Sequence, residues 1–262
     1  MVSTSRVSRK YCLIITATVN PGDYADALKH EFIGSREKDY ENALRFWLTL
    51  DAPQLGDIVF CENSNFDLTL LKENIAVFAK TEKAERTIEW LSFDGNDRPA
   101  GFHYGYAELG LIDYAVQIST LLKCYSHFVK ATGRLTFPNI NRLLKALPSD
   151  YDFAADWHRF PKDKTSPRRV RSQLLFSKTG FYKTHLLSKR NSMTRDQSHA
   201  EELLAKILWP LRSKYDLICR FPIECQPEGV SASHGTRYNS GFSKIKSIIR
   251  GVLRRVAPNL WM

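Results

Sequence analysis

The chain has 262 residues, 43% of them hydrophobic and 25% charged. This suits one large α/β domain or two small ones and excludes both a disordered chain and a stapled mini-protein. Lys and Arg number 38 against 28 Asp and Glu, a formal net charge of +10, which favours polyanionic partners: nucleic acid, acidic lipid headgroups or phosphorylated substrates. Five cysteines (Cys12, Cys61, Cys124, Cys219, Cys225) contain no CxxC pair; that argues against a disulfide framework or a structural zinc site and points to a reducing, cytoplasmic setting.

Residues 1–10 read as a basic tail carrying Arg6, Arg9 and Lys10. The run 11–19 that follows holds two threonines and ends in Asn20-Pro21-Gly22 without a small-residue cleavage site, so it reads as a buried first strand rather than a signal peptide. A helix is expected over 37–50, with Asp39, Ala43, Leu44, Trp47 and Leu48 at helical spacing, then a strand over 57–62 and a helix over 66–80 capped by Asn65 or Asp67. Strand 87–93 leads into a Gly-rich loop, 94–105, followed by helix 106–122 and strand 124–131. A short helix from Pro138 to Leu147, a strand near 151–157, a basic loop over 158–169, a strand over 170–177 and a helix near 179–188 come next. A long helix begins at Ser198 and a last strand lies near 215–223. Repeated β-α-β units predict one α/β domain over 11–223: a mostly parallel sheet with helices on both faces and a Rossmann-type nucleotide-binding half. Residues 224–241 read as a loop and 242–262 as a basic amphipathic helical appendage.

In such a sheet, ligands bind beyond the carboxyl ends of the strands. Thr16, Thr18 and Asn20 end the first strand, and Glu62 and Asn63 end the second. These groups could hold a base and ribose, or they could be ordinary turn and cap residues. Glu108 shares a helical stripe with Ile112, Ala115, Val116 and Ser119, so it needs a partner such as Lys130 or Arg134, unless it only complements the helix dipole. Lys130, Thr132, Gly133 and Arg134 bring two cations to a Thr-Gly turn, which suits a diphosphate, although the spacing is not that of a P-loop. For a general base, the candidates are Asp156, beside Trp157-His158-Arg159, and Glu201, which also fits a capping box from Ser198; His199 beside it is a weaker candidate.

The order Leu-Ile-Ile-Thr-Ala-Thr-Val-Asn-Pro-Gly, Val-Phe-Cys-Glu-Asn-Ser, Gly-Tyr-Ala-Glu and Val-Lys-Ala-Thr-Gly-Arg, over about residues 11–140, resembles small bacterial glycosyltransferases encoded with capsule and O-antigen assembly enzymes. The resemblance implies a glycosyltransferase A-type fold, with Thr16, Asn20, Glu62 and Asn63 around the nucleotide and Glu108, Lys130 and Arg134 near the diphosphate or sugar. Most enzymes of that fold carry Asp-x-Asp after the fourth strand to hold a divalent metal; here Lys-Ala-Thr-Gly-Arg stands in that place. Cations there could neutralise the leaving diphosphate directly, so no cofactor is expected, with Mn²⁺ or Mg²⁺ left open. Asp150-Tyr151-Asp152 follows a helix and reads as a turn.

In the last segment, Ile245, Ile248, Ile249, Val252, Leu253 and Val256 repeat at helical spacing among Lys244, Lys246, Arg250, Arg254 and Arg255, with Trp261 near the end. That pattern fits an interfacial helix on an anionic membrane, a reading favoured over a helix packed back on its own domain because the basic excess lacks acidic partners nearby. The expected activity is therefore sugar transfer from a nucleotide-sugar to a glycan or lipid-diphosphate-linked glycan of a bacterial surface polysaccharide such as lipopolysaccharide, at the inner face of the plasma membrane. A nucleic-acid-binding protein and a non-catalytic membrane scaffold are the alternatives; the absence of helix-turn-helix, zinc-finger and RNP patterns argues against the first.

Overall fold

Strand β1 (Tyr11–Ala17) is buried along its whole length, and its alternation divides the molecule into layers. Tyr11, Leu13, Ile15 and Ala17 face one apolar core, while Cys12 and Ile14 face the other. Strand β2 (Leu55–Glu62) repeats this, with Leu55, Ile58 and Phe60 in the first core and Val59 and Cys61 in the second. The computed structural model describes residues 11–22, 33–158, 169–196, 199–225, 227–230, 238, 249–252, 254 and 256.

Helices α1 (Ile33–Thr49), α2 (Thr69–Thr81) and α4 (Ile140–Ala146) cover the first face through residues such as Leu44, Trp47, Leu71 and Leu143. Helices α3 (Gly105–Ile118), α5 (Thr179–His185) and α6 (Ala200–Leu211) cover the second through Leu109, Ile112, Tyr182 and Leu204. The remaining strands are β3 (Ile88–Ser92), β4 (His127–Thr132), β5 (Phe153–His158), β6 (Arg169–Lys178) and β7 (Leu217–Ile218). They form one seven-stranded sheet in the order β3-β2-β1-β4-β6-β5-β7. The expected mixed α/β architecture, with a mostly parallel sheet and helices on both faces, is what the chain adopts. The β3-β2-β1-β4 half is parallel throughout, and β6 alone runs antiparallel to its neighbours.

Two elements end earlier than their pattern predicts. Helix α3 stops at Ile118 because the Glu89 carboxylate captures the Ser119 hydroxyl and the backbone N–H groups of Thr120 and Leu121, which restarts the chain as a 3₁₀ turn over Leu121–Cys124. The strand expected near 215–223 is paired only over Leu217–Ile218; further on, the Phe221 N–H is taken by the Asp156 side chain and Pro222 has no donor. At the start of α2 the N-cap position falls on Leu68, without a side-chain cap, and Asp67 before it accepts from the Thr69 N–H at 2.9 Å. The 1–10 tail, the basic loop over 159–168 and most of 231–262 lie outside the described residues. Among the described residues no helix is long and apolar enough to cross a membrane.

Gly133 turns the chain out of β4 against β1. A Cβ there would lie 2.5 Å from the Thr16 carbonyl oxygen and 2.8 Å from the Tyr40 ring. Because the first clash is with backbone, relief requires the strands to part. Gly133→Ala is expected to lower stability by about 1–3 kcal/mol, read as a lower urea midpoint at unchanged m-value; an unchanged midpoint would contradict the packing described for this turn.

Candidate functional site

The chain steps from β1 to β2 and β3 on one side, then crosses to β4 on the other side of β1. Such a reversal leaves a crevice beyond the carboxyl ends of the two strands flanking it. A cavity of about 110 Å³ opens there. Thr16 and Thr18 come from the end of β1, Thr132 and Arg134 from the end of β4, Arg36 and Tyr40 from α1, and Glu108 from α3. Asn96, Arg98 and Tyr104 reach the cavity from the loop between β3 and α3.

Two guanidinium groups define its chemistry. Arg36 is 3% exposed and Arg134 6%. Arg36 donates through Nε to the Thr18 carbonyl at 3.0 Å, and Tyr40 holds the same loop by accepting the Thr18 N–H at 2.9 Å. Arg134 Nη1 lies 4.0 Å from Asp39 Oδ2, too far for a hydrogen bond. The Nη1 atoms of both arginines are buried without a hydrogen-bond partner among the described residues, a costly arrangement that an anion in the cavity would relieve. Burial presses the Arg134 guanidinium below its usual pKa, and the neighbouring Arg36 charge acts in the same direction.

The carboxylate in the wall is already neutralised. Lys130 is fully buried, and its ammonium donates to Glu108, to the Thr132 hydroxyl at 3.0 Å and to the Ser172 carbonyl at 2.7 Å. Its three protons are therefore committed. Glu108 also accepts from the Thr132 and Ser172 hydroxyls, each at 3.0 Å. Burial alone would raise its pKa, but the Lys130 charge and these hydrogen bonds outweigh that and hold it below the usual carboxylate range.

Ser172 Oγ lies 3.0 Å from Glu108 and 3.4 Å from Glu201 Oε1. One hydroxyl proton cannot serve both carboxylates, and the shorter contact is the one to Glu108. Burial and then the Glu108 charge push the Glu201 carboxyl above its ordinary value. His103 and His199 stack beside this group with ring centroids 4.1 Å apart. Burial, then the His199 and Arg98 charges, lowers His103 to about 4, so its imidazole is neutral near pH 7.

The structure thus brings together Thr16, Thr18, Thr132, Arg134, Glu108, Lys130 and Glu201, with Gly133 as their turn. It places the other candidates differently. Glu62 is fully buried and spent on loop shape, accepting from the N–H groups of Val19, Ser64 and Phe66 and from the Ser92 hydroxyl. Asn63 is likewise buried, accepting from the Thr18 hydroxyl at 2.7 Å and donating to the Gly95 carbonyl. Asn20 is exposed and closes its own turn onto the Gly22 N–H. Lys130 is a buried counter-ion rather than a cation open to ligand. Asp156 does not line the cavity: Arg254 Nη1 and Nη2 donate to its two oxygens at 2.9 and 2.7 Å. Asp150 and Asp152 both pair with Lys178, at 3.2 and 2.8 Å. Arg36, Tyr40, Arg98 and Ser172 escape the sequence reading; the signal for Arg36 is a charge four residues before Tyr40 on the buried stripe of α1.

The metal implied by a glycosyltransferase A-type fold finds no suitable donor set in this wall. Among the described residues lining the cavity Glu108 is the single carboxylate, Lys130 already neutralises it, and Arg36, Arg98 and Arg134 are there too. Among the described residues no cluster of His, Cys, Asp and Glu could hold a metal ion.

No family model matches the sequence, and no curated protein matches it. Solved structures with similar chain folds include the glycosyltransferase GlyE of Streptococcus pneumoniae TIGR4 (TM-score 0.48, 10% identity, 80% of this chain and 45% of that one). The WbbM bifunctional glycosyltransferase is similar at TM-score 0.48 and 12% identity, over 85% of this chain and 40% of that one. A putative nucleotide-diphospho-sugar transferase of Desulfovibrio desulfuricans G20 is similar at TM-score 0.45 and 11% identity, over 94% and 97%. The chain spans less than half the length of GlyE and WbbM. At these identities no residue of this chain takes a role from theirs.

Glu108→Gln strands the Lys130 ammonium in the interior and is expected to cost about 3–5 kcal/mol, whereas Glu201→Gln removes a carboxyl that burial and the Glu108 charge disfavour in its ionised form and should stay within about 1 kcal/mol. Because the folded pKa of Glu108 is depressed, its contribution is present above the ordinary value of 4.5 and is lost as pH falls through the lower folded value. The gap between wild type and Glu108→Gln in urea melts should therefore narrow in acid. A gap independent of pH would contradict the ion pair.

Proposed function

We propose that the chain is a glycosyltransferase that moves a sugar from a nucleotide-sugar donor to an acceptor hydroxyl without a divalent metal. The observation that carries this reading is the pair of buried guanidiniums, Arg36 and Arg134, each with an Nη1 that has no hydrogen-bond partner among the described residues, at the carboxyl edge of parallel strands. A nucleoside diphosphate is a ligand whose charge and oxygens match two such groups. As the bond from sugar to diphosphate breaks, negative charge grows on the leaving oxygen, and fixed cations stabilise that charge most where water is excluded. Arg36 and Arg134 take this role, with Arg98 at the cavity wall. Lys130 contributes indirectly, by cancelling the Glu108 carboxylate that would otherwise repel the diphosphate.

Glu201 is the proposed general base. Its raised pKa brings it nearer to neutral pH, where a base transfers protons most effectively, and Ser172 ties it to the cavity wall. The hydrogen bonds from Arg254 to both oxygens of Asp156 favour Glu201 over Asp156 for that duty. The acceptor class, a glycan or lipid-diphosphate-linked glycan of a capsule or O-antigen, follows from the sequence resemblance, as does a place on the inner face of a bacterial plasma membrane.

Isothermal titration with nucleoside diphosphates and their sugars, in the presence of EDTA, tests the donor site. Binding should persist under chelation, and Arg36→Gln and Arg134→Gln should each weaken it by about 10- to 100-fold, equivalent to about 1.4–2.8 kcal/mol. Binding that requires Mn²⁺, or that survives both substitutions, contradicts the assignment. In nucleoside diphosphate release assays, Glu201→Gln should lower kcat by about 10²- to 10⁴-fold with donor Kd unchanged.

A further inference from the structure

The described part of the C-terminal helix sits the opposite way round from an ordinary surface helix. Ile249, Val252 and Val256 are 50%, 54% and 72% exposed. They recur at i, i+3 and i+7 and so share one face. The charges point inward instead. The Arg254 side chain is 8% exposed and meets Asp156 and Glu224, each with a side chain 6% exposed. Arg254 Nε donates to Glu224 at 2.7 Å and Nη1 to the Phe221 carbonyl at 2.7 Å, while Arg250 lies 3.8 Å from Glu224. Asp156 also accepts the Phe221 N–H at 2.9 Å, so the acidic pocket is fixed by the end of β5 and the segment after β7.

We propose that Asp156 and Glu224 form a dock that clamps the helix by Arg250 and Arg254 and turns its apolar face outward as a binding surface for an anionic lipid membrane. Charge complementarity selects that occupant. No acidic residue follows Glu228, and with Arg250 and Arg254 engaged by the domain, Arg237, Lys244, Lys246 and Arg255 remain without an acidic neighbour in the sequence. These four cations lie outside the described residues. An exposed apolar face within a segment whose sequence carries an excess of cations matches the boundary between acyl chains and anionic headgroups. Arg250 and Arg254 therefore bind the domain rather than headgroups, which departs from the expectation that every cation of this segment faces lipid. A clamped helix also holds the cleft at a set orientation to the bilayer, as a membrane-bound acceptor requires; that consequence rests on the proposed transfer reaction, whereas the surface itself does not.

Sedimentation of the full chain with vesicles of phosphatidylcholine alone, and of phosphatidylcholine with phosphatidylglycerol, tests the proposal. Wild type should bind the anionic vesicles and be largely left behind by the neutral ones. Ile249→Glu combined with Val252→Glu should weaken binding at least about tenfold, because two apolar contacts are lost. Lys244→Gln and Lys246→Gln should each weaken it about fivefold, while Arg250→Gln, a residue facing Glu224, should change it less than about twofold. Nucleoside diphosphate titration on the same samples reports whether the cleft is intact, so failure here and failure of the transferase reading are separable. Three outcomes overturn the proposal: no binding to anionic vesicles by wild type, undiminished binding by the double glutamate variant, or a lipid-free dimer dissolved by that variant.

Discussion

A lysine buried to zero exposure is the constraint around which the cleft is organised. An ammonium group in the interior is tolerated only if its charge is matched and its protons are all received. Lys130 meets both conditions by drawing Glu108 from α3, Thr132 from its own strand and the Ser172 carbonyl from β6 onto one atom. The pair thereby fastens α3 across β4 and β6 and forms one wall of the cavity. It also sets the sign of the cavity's field. With Glu108 cancelled from behind, the charges left facing the space are those of Arg36, Arg98 and Arg134.

That sign decides what the site can hold. A divalent cation needs several carboxylate or imidazole donors, whereas the described residues of this wall offer guanidiniums, hydroxyls, an amide and one carboxylate that Lys130 already pairs. The same fold position can neutralise a leaving diphosphate either with a metal held by acids or with fixed cations, and the two solutions demand opposite residues. In the proposed reaction, Lys-Ala-Thr-Gly-Arg at the end of β4 serves the second. Its two cations divide the work: Arg134 faces the cavity, and Lys130 turns away from it to silence Glu108.

Much of the fold was legible because burial is periodic. The short apolar run of β1, bounded by turn residues, and the helical spacing of Ala43, Leu44 and Trp47 identify their elements from local sequence alone. Element ends were less legible, since Glu89 stops α3 from another strand and Asp156 takes the Phe221 N–H from β5. Pairings between distant residues were illegible for the same reason. Asp156 and Arg254 are 98 positions apart, so a carboxylate that looked available beside an aromatic cluster proved to be an ion-pair partner. Glu62 and Asn63 likewise look like ligand groups but close the loops around them. The periodicity of the C-terminal helix is identical whether its apolar face points in or out; the direction is set by Asp156 and Glu224, which the helix's own sequence does not contain.

The central claim is that two buried arginines, and not a metal, receive the diphosphate of a nucleotide donor. Its most direct test is a crystal structure of the chain grown with a nucleoside diphosphate in the presence of a chelator. The account predicts diphosphate oxygens within hydrogen-bonding distance, about 2.7–3.2 Å, of Nη1 of both Arg36 and Arg134. A diphosphate bound elsewhere on the chain, with both guanidiniums left unengaged, would contradict it.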